Sequence, residues 1–513
     1  MKKLILLFLI LSISAVYGSS PEINKKKLIT LAQGEYIEYS ESNFSFNAQS
    51  DNYFLITYFL DETTYLKTYY IHSNGKKLGP YTYIYYPQYF PETGNYCISA
   101  AKGDKNYGII NGVEYAGEGD IYFLNNVKGS FIAMLDIAYE KSSYIIINGK
   151  KYGPYQSIEN YGINLEGDSY FFAYLQNGKL YLNVNGQVSE GYEYFEYIMY
   201  SVKGKSQISS YTKNGKHYFN YNGKEYGPNT SGVTASLSED GSSFMLIYEK
   251  SGTYEILVND KVVGTFKNLE RAPEGYMYPS GNYYYSVNQK GTDELFLNGN
   301  KVATGQYPFI NPSPNGKIFL VFSTDASGVN TMSYNGVVLA TSSEYLYGVV
   351  NDFGDIAHVI SKNGTYEFYL NGQLITSSTE YDYVYNIEND IFFFSYSENS
   401  STLFLNGKAY NMPATIAQYP IKIHKGNWVG VAYNDFGNIV YNGTFYGKFD
   451  YVADVYLNDY NWGALGVINE QYKLILNGKE ISAESFGLVL DSKSNKAVYF
   501  TLEGRDIYLN NVN

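Results

Sequence analysis

The doublet Asn-Gly recurs along this chain at a nearly constant interval, and this repeat constrains the fold more than any other feature. The first five copies follow one another at steps of 37 residues: Asn74-Gly75, Asn111-Gly112, Asn148-Gly149, Asn185-Gly186 and Asn222-Gly223. An Asn keeps the phase, at steps of 33 to 39 residues, at Asn259, Asn298, Asn335, Asn371, Asn406, Asn442, Asn477 and Asn510. The period predicts thirteen tandem units of about 37 residues each.

A single unit reads as four short strands. In residues 119–155 the strand-like runs are Ile121–Leu124, Phe131–Ala138, Tyr144–Ile147 and Lys150–Tyr155. The doublet Asn148-Gly149 separates the third run from the fourth. A two-residue type I′ turn needs positive φ at both central positions, which Asn and Gly tolerate best. Each unit is therefore expected to contain one tight hairpin at a fixed place.

A second glycine register precedes the Asn-Gly series by 14 to 19 residues in most units. It consists of Gly94, Gly129, Gly167, Gly204, Gly241, Gly281, Gly316, Gly354, Gly426 and Gly463. Polar segments that contain Gly between strand-like runs are typical of turns. We assign this register to the turn between the first and second strands of each unit.

The two inner strands and the last strand of a unit carry different signals. Second strands such as Tyr53–Leu60 and Phe244–Tyr248 are nearly continuous apolar runs, which predicts burial on both faces. Fourth strands contain proline in Leu78–Tyr81, Tyr152–Tyr155 and Tyr226–Pro228, which places them at a sheet edge. The fold class predicted is all-β: tandem four-stranded antiparallel blades of one or more β-propellers. A β-solenoid or an open array of three-stranded units stays as the alternative.

Thirteen units exceed the four to eight blades of a typical propeller, which favours two rings. The repeat interval is longest between Asn259 and Asn298, so we expect a boundary near residue 270. The domains predicted are 19–270, with about six blades, and 271–513, with about seven. The last unit lacks a fourth strand, and the segment Lys27–Tyr39 could supply it and close the last blade. A single large ring would close more simply.

The N-terminus predicts export. Met1-Lys2-Lys3 precedes a 13-residue apolar run, Leu4–Val16, and small residues follow, which is typical of a secretory signal peptide over residues 1–18. The run is too short for a membrane span, and no later segment is long and apolar enough to be one. Removing Lys2 and Lys3 changes the formal charge from −13 to −15, which disfavours nucleic acid as a partner. Cys97 is the only cysteine and is expected to be a buried thiol.

Two turn motifs carry a resemblance to known repeat families. Ser238–Gly241 and Ser313–Lys317 each precede an apolar strand, and the stretch Pro312–Ala340 resembles the TolB-like, WD40-like propeller repeat. The element Asn-Gly-Lys-x-Tyr-Gly-Pro is similar to bacterial WG-type repeats, with Tyr in place of Trp. Both resemblances imply exported or envelope binding scaffolds and no particular ligand.

Residues that could perform catalysis are sparse. The four histidines, His72, His217, His358 and His424, fall in different units and registers, and Arg271 and Arg505 are the only arginines. The turns Asn351–Asp355 and Asn434–Asn438 resemble calcium loops, but their registers differ and they read as Asx turns. No Gly-x-Ser-x-Gly nucleophile motif or His/Cys metal spacing occurs. We therefore assign no catalytic, cofactor-binding or metal-binding residue, and expect no cofactor.

The function expected is an exported, non-catalytic binding scaffold that recognises a protein or polysaccharide partner, because loops can vary while strands hold their shape. A surface structural or adhesive repeat protein is one alternative. The other is a propeller hydrolase with a carboxylate site in its central channel, for which Asp240 and Asp352 are candidates. Five tyrosines near the fourth strands, Tyr81, Tyr85, Tyr152, Tyr155 and Tyr226, are interpreted as packing between blades.

Overall fold

A computed structural model describes most of the chain after the N-terminal segment. It covers residues 23–38, 44–46, 52–90, 93–116, 120–137, 142–380, 383–397, 400–412, 415–433, 436–469, 471–481, 484–490 and 497–512. The predicted signal peptide lies outside the described residues. Within them all regular structure is β, and every paired strand is antiparallel to its neighbour. No helix in this part of the chain could cross a membrane.

The strands form thirteen successive sheets, numbered here from the N-terminus. Sheets 1 to 4 contain Glu35–Ile37, Phe44–Phe46, Tyr53–Leu60, Lys67–Ser73 and Lys76–Tyr81; Tyr83–Phe90, Asn95–Lys102, Lys105–Ile110 and Val113–Ala116; Asp120–Val127, Ser130–Ile137, Ser142–Ile147 and Lys150–Tyr155; Ser157–Ile163, Tyr170–Gln176, Lys179–Val184 and Gln187–Val188. Sheets 5 and 6 contain Tyr194–Tyr200, Gln207–Lys213, Lys216–Tyr221 and Lys224–Asn229; Ser231–Leu237, Phe244–Lys250, Thr253–Val258 and Lys261–Lys267.

Sheets 7 and 8 share one long strand, Asn300–Pro312, and together form a seven-stranded sheet. Their other strands are Glu274–Met277, Tyr283–Gln289 and Thr292–Leu297, then Phe319–Thr324, Asn330–Tyr334 and Val337–Ser342. Sheets 9 to 11 contain Leu346–Val350, Ile356–Lys362, Thr365–Leu370 and Gln373–Ser378; Tyr385–Ile387, Asp390–Ser397, Ser400–Leu405 and Lys408–Met412; Thr415–His424, Asn427–Tyr433, Gly437–Tyr441 and Thr444–Phe449. Sheets 12 and 13 contain Tyr451–Leu457, Trp462–Ile468, Gln471–Leu476 and Lys479–Ile481; Glu484–Leu490, Ala497–Glu503, Asp506–Val512 and, from the other end of the chain, Ile23–Thr30.

This architecture confirms the fold class predicted from the repeat. Each sheet runs in the order first, second, third, fourth strand, which is the plan of a propeller blade. The Asn-Gly doublets form the turn between the third and fourth strands, with φ of 50° at Asn74 and 78° at Gly75. Apart from the shared strand Asn300–Pro312, fourth strands are edge strands, including those that contain Pro80, Pro154 and Pro228. The hairpin and the edge proline could both be predicted from the sequence, because each depends on local backbone chemistry.

The recurring Asn does more than supply positive φ. Its Oδ1 accepts a hydrogen bond from the first backbone N–H of the second strand, as in Asn185 with Tyr170 (2.8 Å). Its Nδ2 donates to the residue just before that strand, as in Asn185 with the Ser169 Oγ (2.7 Å). Ten of the in-phase Asn residues make both contacts at the start of the second strand, with separations of 14 to 17 residues for Oδ1 and 15 to 18 for Nδ2: Asn111, Asn148, Asn185, Asn222, Asn259, Asn298, Asn371, Asn406, Asn442 and Asn477. The carboxamide therefore ties the turn to the second strand and explains why Asn is kept in phase.

Second strands are buried on both faces, as predicted. Phe54 and Ile56 pack towards sheet 2, whereas Tyr53 and Leu55 pack towards sheet 13. The same alternation occurs in the second strand of sheet 6. Sheets 1 and 6 are thus each held between two neighbours, and burial of the second strand on both faces contributes to the apolar contact between blades.

Contacts between consecutive sheets continue around the whole series. Across residue 270, Met245 and Ile247 of sheet 6 pack on Met277 and Tyr285 of sheet 7. The last sheet packs on the first through a cluster that includes Leu31, Ile37, Leu55, Phe500 and Leu509. These contacts favour one ring of thirteen sheets, and the division into domains 19–270 and 271–513 remains a prediction.

The N-terminal strand does complete the last sheet, but its bounds differ from those expected. Ile23–Thr30 pairs antiparallel with Asp506–Val512, whereas the sequence suggested Lys27–Tyr39. The later part of that segment instead contributes Glu35–Ile37 to sheet 1. Three consecutive lysines, Lys25 to Lys27, obscured the strand in the sequence, because all three are exposed on an edge strand and interrupt the apolar pattern.

Two positions depart from their predicted registers. Asn510 lies inside the strand Asp506–Val512 and is buried, so the last member of the series is not a turn. Gly463 lies in the second strand Trp462–Ile468, where a Cβ would come within 2.4 Å of Leu488. Close packing, and not a turn, therefore explains this glycine. Cys97 is fully buried, as expected.

Candidate functional site

The first strands lie at the inner edge of the sheets. Short side chains connect neighbouring first strands: Asn311 donates to the carbonyl oxygen of Gly348 (2.8 Å), and Asn386 donates to that of Val350 (2.8 Å). Fourth strands are farther apart and are bridged by long side chains, as when the Tyr81 hydroxyl donates to Glu114 (2.7 Å). Strands that converge at one edge and spread at the other are arranged radially, as in a propeller.

Exposed tyrosines are concentrated on this inner edge. The exposed large apolar side chains of the first strands are Tyr36, Tyr83, Tyr85, Tyr86, Tyr161, Tyr194, Tyr276, Tyr307, Phe309, Ile387 and Tyr451. Those of the fourth strands are Val113, Val188, Val262, Val302, Val337, Val338, Leu339, Leu374 and Phe445. The first set is called the tyrosine wall below. Tyrosine provides contact area together with a hydroxyl, which suits recognition.

Two residues of the tyrosine wall are held in an unusual backbone conformation. Tyr86 and Tyr307 have φ of 48° and 46°, and each precedes a proline at a bulge in its first strand. Positive φ is unfavourable for a bulky side chain, and such strain is found more often at functional positions. Both rings project into solvent, with 70% and 77% of their surface exposed. The bulge thus directs an aromatic ring away from the core.

A cavity of about 610 Å³ opens along this edge across sheets 7 to 10. Its aromatic lining consists of Tyr276, Tyr278, Tyr347 and Tyr385. Its polar lining consists of Asn311, Ser313, Asn386 and Glu388. Clefts of this size are typical of small-molecule sites. The cavity is therefore the leading candidate site among the described residues.

Charges are nearly absent from the cavity lining. Glu388 is its one titratable carboxylate, and it lies 2.5 Å from the Nδ1 of His424. His424 also contacts Asp459 through Nε2 (2.5 Å). Burial would lower the pKa of His424, but these two carboxylates outweigh it and raise the pKa above its usual value. Glu388 is thus held in an ion pair at the cavity rim.

Asn386 lines the cavity and has one buried polar atom without a partner among the described residues. Its Nδ2 donates to Val350, but its buried Oδ1 accepts no hydrogen bond within the part of the chain that the structure describes. An unsatisfied buried acceptor is costly. Beside it, burial and the neighbouring Tyr284 and Tyr276 raise the pKa of Tyr278 well above its usual value, so this hydroxyl stays protonated.

The other histidines do not join the cavity. His72 lies in a buried network in which its Nε2 contacts both Glu35 and Thr57 at 3.0 Å. Burial would raise the pKa of Glu35, but hydrogen bonds from Lys77, Thr57, the Ala32 N–H and His72 lower it to about 2. This network anchors the start of sheet 1 to its core.

His217 and His358 occupy separate sheets. His217 contacts Glu196 at 2.6 Å on sheet 5. His358 stacks on Tyr369 with ring centroids 4.8 Å apart, and burial lowers its pKa to about 4. Among the described residues, no group of three His, Cys, Asp or Glu side chains could hold a metal ion.

The carboxylates considered for a channel site lie in turns between first and second strands. Asp240 accepts from the Ser242 N–H (2.9 Å) and the Ser238 hydroxyl (2.7 Å), which lower its pKa. Asp352 accepts from the backbone N–H of Asn315 in the preceding sheet (2.9 Å). Neither carboxylate lines the cavity, and both act as turn and inter-sheet contacts.

The calcium-like turn at Asn351–Asp355 is an Asx turn, in which the Asn351 Oδ1 accepts from the N–H groups of Phe353 and Asp355. The second such turn falls partly outside the described residues.

Four of the five tyrosines noted near the fourth strands are buried or half-buried between sheets. The fifth, Tyr85, is exposed on the tyrosine wall. Sequence analysis missed this wall because strand propensity and surface contact both favour tyrosine.

No protein-family model and no curated protein matches the chain. Among solved structures, it is similar to the β-propeller domain of Myceliophteria thermophila Cps50 (Swd1), with 11% identity over 49% of this chain and 95% of that chain and a TM-score of 0.21. It is also similar to the Dos1 propeller, with 9% identity over 68% and 90% and a TM-score of 0.25. Hydrazine synthase of Kuenenia stuttgartiensis shares 12% identity over 39% and 72%, with a TM-score of 0.24. Two of these three structures are β-propellers, and the likenesses assign no activity to this chain.

Proposed function

We propose that this protein is an exported, non-catalytic binding scaffold, and that it recognises its protein or polysaccharide partner through the tyrosine wall. The observation that carries the proposal is the difference between the two sheet edges. Exposed aromatic rings collect on the inner strands, whereas the outer strands expose mainly aliphatic side chains. Surfaces used in recognition are enriched in tyrosine.

The backbone supports the same assignment. The rings of Tyr86 and Tyr307 are exposed from residues with an unfavourable positive φ. Exposure alone does not require this conformation, because an unstrained strand position can also expose an aromatic ring. The blades behind the wall are held on both faces, so the wall is a rigid surface that loses little conformational entropy on binding.

Export rests on the N-terminal residues 1–18. A basic start, a short apolar run and small residues support cleavage after Gly18. The mature chain would act outside the cytoplasm, and its formal charge of −15 gives nucleic acid little attraction.

The test compares two multiple variants of the mature protein on arrays of glycans and peptides. The wall variant carries Tyr83→Ser, Tyr161→Ser, Tyr194→Ser and Tyr276→Ser. The control variant carries Val113→Ser, Val262→Ser, Val338→Ser and Leu374→Ser on the outer strands. We expect the wall variant to lose the binding that the wild type shows and the control variant to keep it. Equal binding by the two variants would show that the wall is not the recognition surface.

A further inference from the structure

The cavity across sheets 7 to 10 has a lining that selects one class of ligand, and this inference rests on the proposed binding function. We propose that the cavity binds a neutral saccharide chain. Its volume of about 610 Å³ is enough for a small organic ligand and too small for a folded partner. A saccharide would enter it from the inner edge of the ring.

The aromatic lining fits the apolar faces of sugar rings. Tyr276 is 45% exposed, and its ring packs edge-on against the buried Tyr278, with centroids 5.4 Å apart and an interplanar angle of 76°. Tyr278 in turn contacts Phe319 at 5.1 Å, which fixes the platform to the core. The face of an aromatic ring is electron-rich and attracts the slightly positive C–H groups on one side of a sugar ring. Tyr276 therefore provides a stacking surface that is already in place.

The polar lining fits hydroxyl groups. Amides at Asn311 and Asn386 and the hydroxyls of the tyrosines are neutral, and an amide or hydroxyl can match a group that both donates and accepts, as sugar hydroxyls do. Glu388 is the one charged side chain of the lining and lies 2.5 Å from the Nδ1 of His424, so the lining has no cluster of charges to attract an ionic ligand.

A peptide that adds as a strand fits less well. Such a peptide needs free carbonyl groups along a strand edge. The carbonyl oxygens of Gly348 and Val350, on the first strand of sheet 9, already accept from the Asn311 and Asn386 side chains. These amides block the backbone edge while leaving the tyrosine rings accessible.

Calorimetric titration of the mature protein tests the assignment. The probes are cellohexaose, maltohexaose, laminarihexaose and N-acetylchitohexaose, with a proline-rich decapeptide as the peptide probe. We expect one oligosaccharide to bind at a single site with a dissociation constant of about 0.01–1 mM. Tyr276→Ala should weaken that binding at least about tenfold, and Tyr276→Phe should change it less than about threefold, because Phe keeps the ring.

Tyr65→Ala is the matched control, since Tyr65 is 78% exposed in the turn between the second and third strands of sheet 1, outside both the cavity and the tyrosine wall. It should leave the affinity unchanged. Saccharide binding that is indifferent to Tyr276→Ala, or no saccharide binding up to about 10 mM, would overturn the assignment. If the peptide binds instead and Tyr276→Ala abolishes its binding, the saccharide class is wrong and the scaffold function stands. If no probe binds and the wall variant behaves as the wild type on the arrays, both proposals fail.

Discussion

Every sheet in this protein has two edges, and the chain treats them differently. The fourth strands carry lysines at their starts, such as Lys76, Lys150 and Lys224, and three of them contain proline. Charge and proline are devices that prevent an edge from pairing with another chain. On the first strand of sheet 9, the edge carbonyl oxygens of Gly348 and Val350 accept hydrogen bonds from the side chains of Asn311 and Asn386. Both edges are therefore protected, but only the inner edge also presents tyrosine.

This difference indicates that the exposed tyrosines of the inner edge have a role other than preventing the edge from pairing with another chain. Tyrosine is not needed to protect an edge, since the outer strands manage with aliphatic and charged residues. Exposed aromatic surface is unfavourable in water unless a partner covers it. The composition of the inner edge is thus what the proposed binding function would explain.

The largest expected effect comes from removing the outer strand that closes the last sheet. Deleting residues 1–30 would leave the edge of Asp506–Val512 unpaired and uncover Ile507 and Leu509, both fully buried. We expect a loss of more than about 4 kcal/mol in the free energy of unfolding, or insoluble protein. Urea unfolding followed by circular dichroism measures it, and deletion of residues 1–18 is the control.

Dividing the chain at residue 270 tests whether it forms one ring or two. Fragments 19–270 and 271–513 would each fold alone if they were separate rings. We expect neither to fold, because Met245 and Met277 are fully buried against each other's sheets across the proposed boundary. Two independent cooperative unfolding transitions of the fragments would establish two rings.

The second and third strands lie between the two edges, and the pKa of His358 in the second strand of sheet 9 measures how well they are buried. Burial lowers its pKa to about 4, below the value of about 6.5 in the unfolded chain. The unfolded state therefore binds a proton first as the pH falls. The stabilisation is complete above pH 6.5 and declines towards pH 4, by about 3 kcal/mol in total. His358→Phe should remove this slope when unfolding is measured from pH 7 to 4, and an unchanged slope would contradict it.

The sequence predicted the parts of the fold that depend on local backbone chemistry. The Asn-Gly hairpin, the edge prolines and the buried second strands follow from φ preferences, the missing N–H of proline and hydrophobic runs. The exchanged N-terminal strand was placed in the right sheet, but Lys25, Lys26 and Lys27 hid its bounds. A solvent-facing edge strand lacks the apolar run by which strands are recognised.

The candidate site was not predictable in the same way. The cavity combines Tyr276, Asn311, Tyr347 and Asn386 from four first strands, and their distance apart depends on how the sheets are arranged around the ring. The positive φ of Tyr86 and Tyr307 arises from a register shift that only strand pairing defines. One signal was present in the sequence: the pair Tyr-Pro within a first strand, at Tyr86-Pro87 and Tyr307-Pro308.

A smaller effect is expected at the turn that attaches each outer strand. Asn185→Ala loses the hydrogen bonds to Tyr170 and Ser169 and places Ala at a φ of 51°. We expect a loss of about 2 kcal/mol, and about 1 kcal/mol for Asn185→Gly, which keeps the turn conformation. Asn177→Gly is the control, because Asn177 has a φ of 52° in the turn between the second and third strands of the same sheet. Equal losses at both positions, measured by urea unfolding, would contradict a role for the carboxamide.

The smallest effect, and the one with the opposite sign to His358, is expected at the inner edge. His424 ends the first strand of sheet 11 and joins Glu388 of sheet 10 to Asp459 of sheet 12, with Lys425 also bonded to Asp459. Its pKa is raised in the folded state, so the ion pair stabilises the protein below pH 6.5, and this contribution is lost as the pH rises through the folded pKa. The pair is partly exposed, so the effect is small and screened by salt. His424→Gln should therefore lower the unfolding midpoint at pH 5.5 in low salt. At pH 8.5, where the ion pair no longer contributes, it should leave the midpoint unchanged. A midpoint that falls equally at both pH values would mean that His424 acts by packing alone, and the inner edge would then be joined only by its neutral amides.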